Sequence, residues 1–328
     1  MKVSLKSLIY TILLLPSLSM QAQEQAAAVP FLTFPIDART SGMGRTGIAM
    51  PGQSFAIFQN AATSLFSEEK MYFGYTYTPW NRDVISGSNL HAIGGYYHLG
   101  DKQAILAGFR HFTHGKIDVT DENGNASKDF QPKDWAFDLG YTRRLSEHFA
   151  LALTFRYLHS DLGDFGGADA ASAFAFDLGA CYHSTLCEDK PESFWSAGLQ
   201  IANIGSKVKY LTTGYDLPAS IKIGGSVCYP FSDNHKLTGN LDLGYAEMLS
   251  DTKSLEWGLG AEYAFLKHGF IRAGYHGGDK DKNSGNYATL GCGAEFYHIR
   301  ADFAYLLTAS DSPLKNTWQI SLSVGLNK

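Results

Sequence analysis

Six residues, GMGRTG at 42–47, have the glycine spacing that cradles a pyrophosphate in dinucleotide-binding proteins. That chemistry needs a buried strand entering the loop, a helix leaving it, and an acid about 20 residues on to hold the ribose. Here FLTFPIDART precedes the glycines, with a proline and the charges of Asp37 and Arg39 where the strand should be. The next acids, Glu68 and Glu69, close a Ser-Leu-Phe-Ser stretch. The pattern therefore predicts no nucleotide. It predicts instead that Gly42, Gly44 and Gly47 let the backbone turn tightly and pass close to other main chain. After them, Phe55, Phe58, Ala62 and Phe66 fall near helical spacing, the stripe of a short helix held in or under a larger structure.

The other residues that could do chemistry are histidines, serines and charges. His111 and His114 lie three apart in a period-two stretch, so they face opposite ways and cannot share an ion; His91 and His98 fail by the same parity. By the sequence phasing, no Ser and His fall on one outward face at neighbouring strand positions, which argues against a Ser–His lipid hydrolase. The chain is read as a non-enzyme without metal or cofactor, and its net charge of -5 gives no reason to expect nucleic acid. Asp138, Asp177, Asp242, Glu256, Glu262, Glu295 and Asp302 share one face with Arg156, Lys222, Arg272 and Arg300. Mixed signs favour a structural network over an ion path. A channel for hydrophobic molecules needs a contiguous apolar lining, and that face is otherwise Gly, Ala, Ser and Thr.

The elements that position these residues are strands. In TWQISLSVGL, Trp318, Ile320, Leu322, Val324 and Leu326 share one face, with Thr317, Gln319, Ser321, Ser323 and Gly325 on the other. FALALTFRY and WAFDLGY follow the same rule, and Asp-Leu-Gly recurs at 138–140, 177–179 and 242–244. Strands of about ten residues with alternating faces are the signature of a transmembrane barrel. Composition agrees: 13% aromatics, 34 glycines and 18% charged residues suit a barrel better than a free exported domain. Fourteen strands are predicted, centred near Tyr75, Gly94, Ala107, Leu139, Leu153, Asp177, Leu199, Gly224, Leu241, Gly260, Ala273, Gly291, Phe303 and Ser321. Short turns, such as those at Gly100-Asp101 and Tyr297-His298, alternate with long loops, such as 115–132 and 160–171. Two connections blur the phase: 184–193 is long for a turn and 248–253 short for a loop.

The fold class is thus all-β, a transmembrane antiparallel barrel of about fourteen strands with a short N-terminal plug-like segment. Its predicted parts are a signal peptide over 1–22, a glycine-rich segment with a short helix over 23–69, and the barrel over 70–328. The signal rests on Lys2 and Lys6 ahead of the apolar run Leu8 to Leu15. An even strand count returns both termini to the periplasmic side of an outer membrane. Cys181 and Cys187 flank one predicted turn, as a disulfide or as two thiols. Partner binding falls to the long loops, where Asp121, Glu122, Asn123 and Phe130 stand in one and Phe165, between glycines, in the next.

FLTFPIDARTSGMGRTGIAM resembles the N-terminal signature of the PorV/PorQ family of Bacteroidetes outer-membrane proteins, which are similar in fold to the FadL fatty-acid porins. YTYTPW, GYYHLGDKQAILAGFRHFTHGKI, DWAFDLGYTRRLSEHFALALTFRYLHSDL, LQIANIGSKVKY with LPASIKIGG, and FIRAGYHGG with NTWQISLS look like PorV segments in the same order. The signature positions carried here are Asp37, Ala38, Arg39, Gly42, Met43, Gly44 and Asn60; where the family has Asn-Pro-Ala, this chain has Asn60-Ala61-Ala62. The resemblance implies a barrel of the type IX secretion system that sits in outer-membrane lipid. It implies, too, that secreted cargo emerging from an SprA-like translocon is held by its C-terminal signal domain and handed to a PorU-like sortase. A FadL-like channel for hydrophobic small molecules is the alternative.

Overall fold

Alternation of large apolar and small or polar residues, sustained over ten or more positions, closes this chain into a barrel. The computed structural model describes residues 27–80, 87–116, 130–163, 170–250, 253–279, 285–310, 312 and 314–327; the predicted signal peptide lies outside them. In chain order the strands are β1 (Glu69–Pro79), β2 (Ser88–Gly100), β3 (Gln103–His114), β4 (Lys133–Arg144), β5 (Phe149–Asp161), β6 (Ala171–Cys187), β7 (Lys190–Gly205), β8 (Val208–Tyr210), β9 (Thr213–Tyr215), β10 (Ser220–Ser232), β11 (His235–Ala246), β12 (Ser254–Phe265), β13 (Gly269–Gly278), β14 (Tyr287–Phe296), β15 (Ile299–Leu307) and β16 (Trp318–Asn327). Fourteen of them form a closed antiparallel sheet, sealed where β1 pairs with β16; β8 and β9 are a separate hairpin in the β7–β10 connection. Each of the fourteen predicted centres falls within one wall strand.

β5 shows why the wall sits in lipid. Leu151 and Leu153 are exposed outward, while Ala150, Ala152, Thr154 and Arg156 are buried inward. Aromatic bands flank the apolar belt. Trp135, Tyr157, His159 and Phe174 touch one another toward the loop end, and Tyr182 packs on Trp195 toward the turn end.

One of the two irregular connections has a structural explanation. The stretch 184–193 is mostly strand: β6 and β7 run on past the other hairpins and turn at Glu188-Asp189. The turn therefore lies beyond Cys187, not between the two cysteines. Cys181 and Cys187 are six residues apart on one strand, roughly 20 Å, too far to bridge; both are free thiols, as are Cys228 and Cys292.

Residues 27–66 run through the lumen from the loop end to the turn end. Ala28 N–H donates to Asp216 O at the loop end (2.9 Å), and Glu69, where the wall begins, pairs with Asn327 at the turn end. The even count thus joins both ends of the wall at one rim, while the described chain starts at the other. Proximal to the wall, the predicted helix is two 3-10 turns, Ala56–Phe58 and Ala61–Phe66, preceded by a single α-helical turn, Ala38–Ser41. Phe55 and Ala62 are buried, Phe58 and Phe66 half-buried.

Candidate functional site

The glycine fingerprint is where plug backbone meets wall backbone. Gly44 has φ +69°, and a Cβ there would lie 2.5 Å from Tyr275 O and 2.8 Å from Leu259 O. The wall answers with its own glycines: a Cβ on Gly260 would lie 2.2 Å from Met43 O, and one on Gly274 2.2 Å from Gly44 N. Main chain touches main chain across this seam, so a side chain on either side forces it open. The other signature residues complete the dock. Asp37 caps the helical turn, accepting from Arg39 N at 3.0 Å and Thr40 N at 3.4 Å. Ala38 N donates to Ser321 Oγ (2.9 Å), Gly44 N to Thr289 Oγ1 (2.9 Å), and Met43 is fully buried. Burial, followed by the nearby charge of Asp302, pushes the Asp37 carboxyl up to about 6.

Asn60 holds the far end of the plug. Its amide donates to Ile48 O (2.8 Å) and Ala180 O (2.9 Å), and its Oδ1 accepts from Ala62 N (3.2 Å), so the turn forms with Ala61 where the family has proline. Gly179, the glycine of the second Asp-Leu-Gly, makes room: a Cβ there would lie 2.4 Å from Asn60 Oδ1.

The inward charges form two closed clusters. On β4 to β7, Arg156 lies between Asp138 and Asp177, 2.8 Å from Asp177 Oδ2, and also donates to Asn203 Oδ1. Arg110, on β3, pairs with Asp138 (3.3 Å), donates to Leu32 O of the plug (3.2 Å) and stands 4.8 Å over the Phe58 ring. On β12 to β15, Glu262 pairs with Arg272 (2.6 Å) and Arg300 (3.2 Å), and Asp302 with Arg272 (2.7 Å) and Arg300 (2.9 Å). Arg39 of the plug joins this cluster through Glu262 (2.7 Å). Lys222 sits apart, 3.6 Å from Glu256. Asp242 belongs to neither cluster: its carboxylate accepts from Gly47 N (2.8 Å) and Ile48 N (3.1 Å), so its charge anchors plug backbone. Glu295 completes the second cluster by pairing with Arg300 (3.3 Å), so positive and negative groups match within each, and each cluster touches the plug.

Two contributors escape a sequence reading, and a third, Gln319, is legible as inward but not in its plug partners. Arg110 shares parity with inward Leu106 and Gly108 but sits among histidines that hide its phase. Gln319 donates to Ile36 O (2.7 Å) and accepts from Ser41 Oγ (2.6 Å). Asn203, at φ +58°, occupies a bulge where the β6 register shifts between Phe176 and Leu178, and no periodicity announces that extra residue.

Of the loop candidates, Asp121, Glu122, Asn123 and Phe165 lie outside the described residues. Phe130 packs its ring directly over Gly163, which has φ +94°, so the β3–β4 and β5–β6 connections meet at the loop end. On the outer wall the structure corrects one expectation: Ser172 and His159 are cross-strand neighbours, with His159 Nδ1 3.0 Å from Ser172 Oγ. Strand pairing, invisible in one sequence, brings them together. Tyr157 OH also donates to Ser172 Oγ (3.0 Å), and among the described residues no carboxylate hydrogen-bonds the other His159 nitrogen. The pair is part of the aromatic band and lacks the orienting acid of a hydrolytic triad.

Two spaces remain around the plug. A vestibule of about 420 Å³ opens at the turn end, with Arg39, Glu262 and Arg300 in its lining, and a pocket of about 80 Å³ lies between plug and wall beside Arg45, Lys222 and Asp242. At the loop end, Leu90, Phe112, Leu158, Ala173 and Val208 make an apolar lining filled by the chain's own Phe31, Leu32 and Ile36.

Comparison with solved structures places the fold. The Ralstonia pickettii toluene transporter TbuX aligns with TM-score 0.54 at 13% identity, over 89% of this chain and 98% of that one. The CymD monoaromatic hydrocarbon channel aligns with TM-score 0.58 at 12% identity, over 92% and 100%. A Pseudomonas aeruginosa FadL homologue aligns with TM-score 0.50 at 10% identity, over 89% and 98%. No curated protein sequence matches. The family model described as "Type IX secretion system protein PorV" matches residues 19–253, and with a closed outer-membrane barrel of FadL-like fold beneath that match, the chain belongs to the PorV family.

Proposed function

We propose that this barrel is a carrier of the type IX secretion system: it receives cargo from an SprA-like translocon, holds the C-terminal signal domain, and passes the cargo to a PorU-like sortase. The observation that carries this reading is the PorV match across residues 19–253, which spans the plug signature and most of the wall. A lumen filled by a plug tied through Arg39, Asp242, Asn60 and Gln319 supports it, since a carrier that works from its rim needs no open pore. The binding surface is assigned to the loops at 115–132 and 160–171, which meet through Phe130 and Gly163. Deleting both loops is expected to abolish co-purification of translocon and cargo while leaving a barrel that still shifts on heating in gels. Unchanged co-purification by such a barrel rejects the loop assignment.

A channel for hydrophobic small molecules is the second reading, favoured by the apolar lining at the loop end. The plug fills that lining with Phe31, Leu32 and Ile36, so conduction requires those residues to leave. Uptake of a monoaromatic hydrocarbon by liposomes containing the purified barrel tests it; no uptake above empty liposomes rejects it.

A further inference from the structure

On the outer wall of β1 to β4 the register sets Phe73, Gly95, Ala107 and Leu139 side by side. Two small residues thus lie between two large ones. The next outward level toward the loop end carries Ile93 and Phe109, and the level toward the turn end Tyr97 and Ile105. Glycine is required at 95, because a Cβ there would lie 2.5 Å from Tyr72 O. The result is an open, apolar groove of about 510 Å³ facing the bilayer.

Past its turn end stand two exposed cations. Lys70 Nζ lies 5.8 Å from the Tyr97 ring centre on the β1 side. Arg143, paired with Gln103, lies on the outward face of β4, two residues beyond Tyr141. Lys102 is exposed at the adjoining turn together with one acid, Asp101. From the Gly95 level to the Leu99 level is four residues, about 13 Å along the strand and roughly 10 Å along the membrane normal at a tilt of about 40°, within the roughly 15 Å half-thickness of a hydrocarbon core. Apolar groove and cations are therefore spaced as an acyl chain and its phosphate are.

We propose that this groove binds a glycerophospholipid of the leaflet at the turn end, with an acyl chain over Gly95 and Ala107 and the phosphate between Lys70 and Arg143. Charge complementarity selects a lipid over a protein side chain: an apolar side chain fills the groove and leaves both cations unanswered. The site lies outside the lumen and is independent of the secretion reading.

The test is native mass spectrometry of the detergent-purified barrel incubated with palmitoyl-oleoyl-phosphatidylglycerol. Wild type and Ala261→Phe, an outward substitution on the far wall, are expected to retain one phospholipid after detergent is stripped. Ala107→Phe is expected to retain about tenfold less, and Lys70→Ala/Arg143→Ala several-fold less. Heat-modifiable migration confirms each barrel; if Ala107→Phe does not fold, the charge variant decides alone. No retained lipid in wild type, or equal retention in both groove variants and Ala261→Phe, overturns the proposal. So does loss of a co-purifying protein from Ala107→Phe with lipid retention unchanged, which makes the groove a protein interface.

Discussion

Gly44 sits where plug backbone and wall backbone meet. Its left-handed backbone costs an alanine about 1 kcal/mol, and the added methyl would meet Tyr275 O at 2.5 Å. The plug has to move to admit it. Gly44→Ala is expected to leave a heat-modifiable barrel whose single-channel conductance in planar bilayers is several-fold above wild type; unchanged conductance would mean that the seam tolerates a side chain. Asp37 makes a pH-dependent prediction. Its carboxyl titrates at about 6 in the fold against 3.8 ordinarily, so the folded state binds the proton more tightly and this group costs stability as pH rises from 3.8 through 6. Asparagine caps as well as aspartate. Asp37→Asn is therefore expected to match or exceed wild type in urea midpoint at about pH 7.5 and to lose that advantage near pH 4. Ser172 is expected to stay unlabelled by a fluorophosphonate serine probe, because its hydroxyl answers Tyr157 as well as His159; stoichiometric labelling would reopen the question of catalysis.

Among elements, the β4–β7 wall shows what period and parity convey. Asp138, Arg156 and Asp177 were legible as inward because each sits one residue from an outward Leu or Phe in a regular strand. Their partners were not. Arg156 reaches Asn203 only because a bulge in β7 turns two successive residues inward, and it is cross-strand register, not spacing along the chain, that sets Asp138 beside it. The same limit hid His159 beside Ser172 and left the cysteine pairing open until the β6–β7 hairpin placed both thiols on one strand. Arg156→Ala strands Asp177 in a buried site and leaves Asp138 to Arg110 alone, a loss of about 3–5 kcal/mol by the usual cost of breaking such a pair. Urea unfolding in detergent measures it. Adding Asp177→Asn to the same chain is expected to recover much of that loss, since Asp138 keeps its pairing with Arg110 and no carboxylate is then left unpaired.

The whole molecule is a wall and a plug that specify each other. Wall glycines at 179, 260 and 274 leave room that plug residues Asn60, Met43 and Gly44 take up, and plug Arg39 and the Gly47–Ile48 backbone answer wall carboxylates at 262 and 242. The sequence announced the strands and the glycines, since both are local signals; which glycine faces which required the closed barrel. A plug held at so many points makes a closed platform, and the family membership says which machinery uses it. The most direct measurement is affinity capture of the tagged barrel from detergent-solubilised outer membranes of the native host, followed by mass spectrometry. The carrier account predicts a very large barrel translocon, or cargo proteins sharing a C-terminal β-domain, recovered with the wild-type barrel. Recovery of the barrel with small apolar molecules in its lumen and neither translocon nor cargo would contradict it.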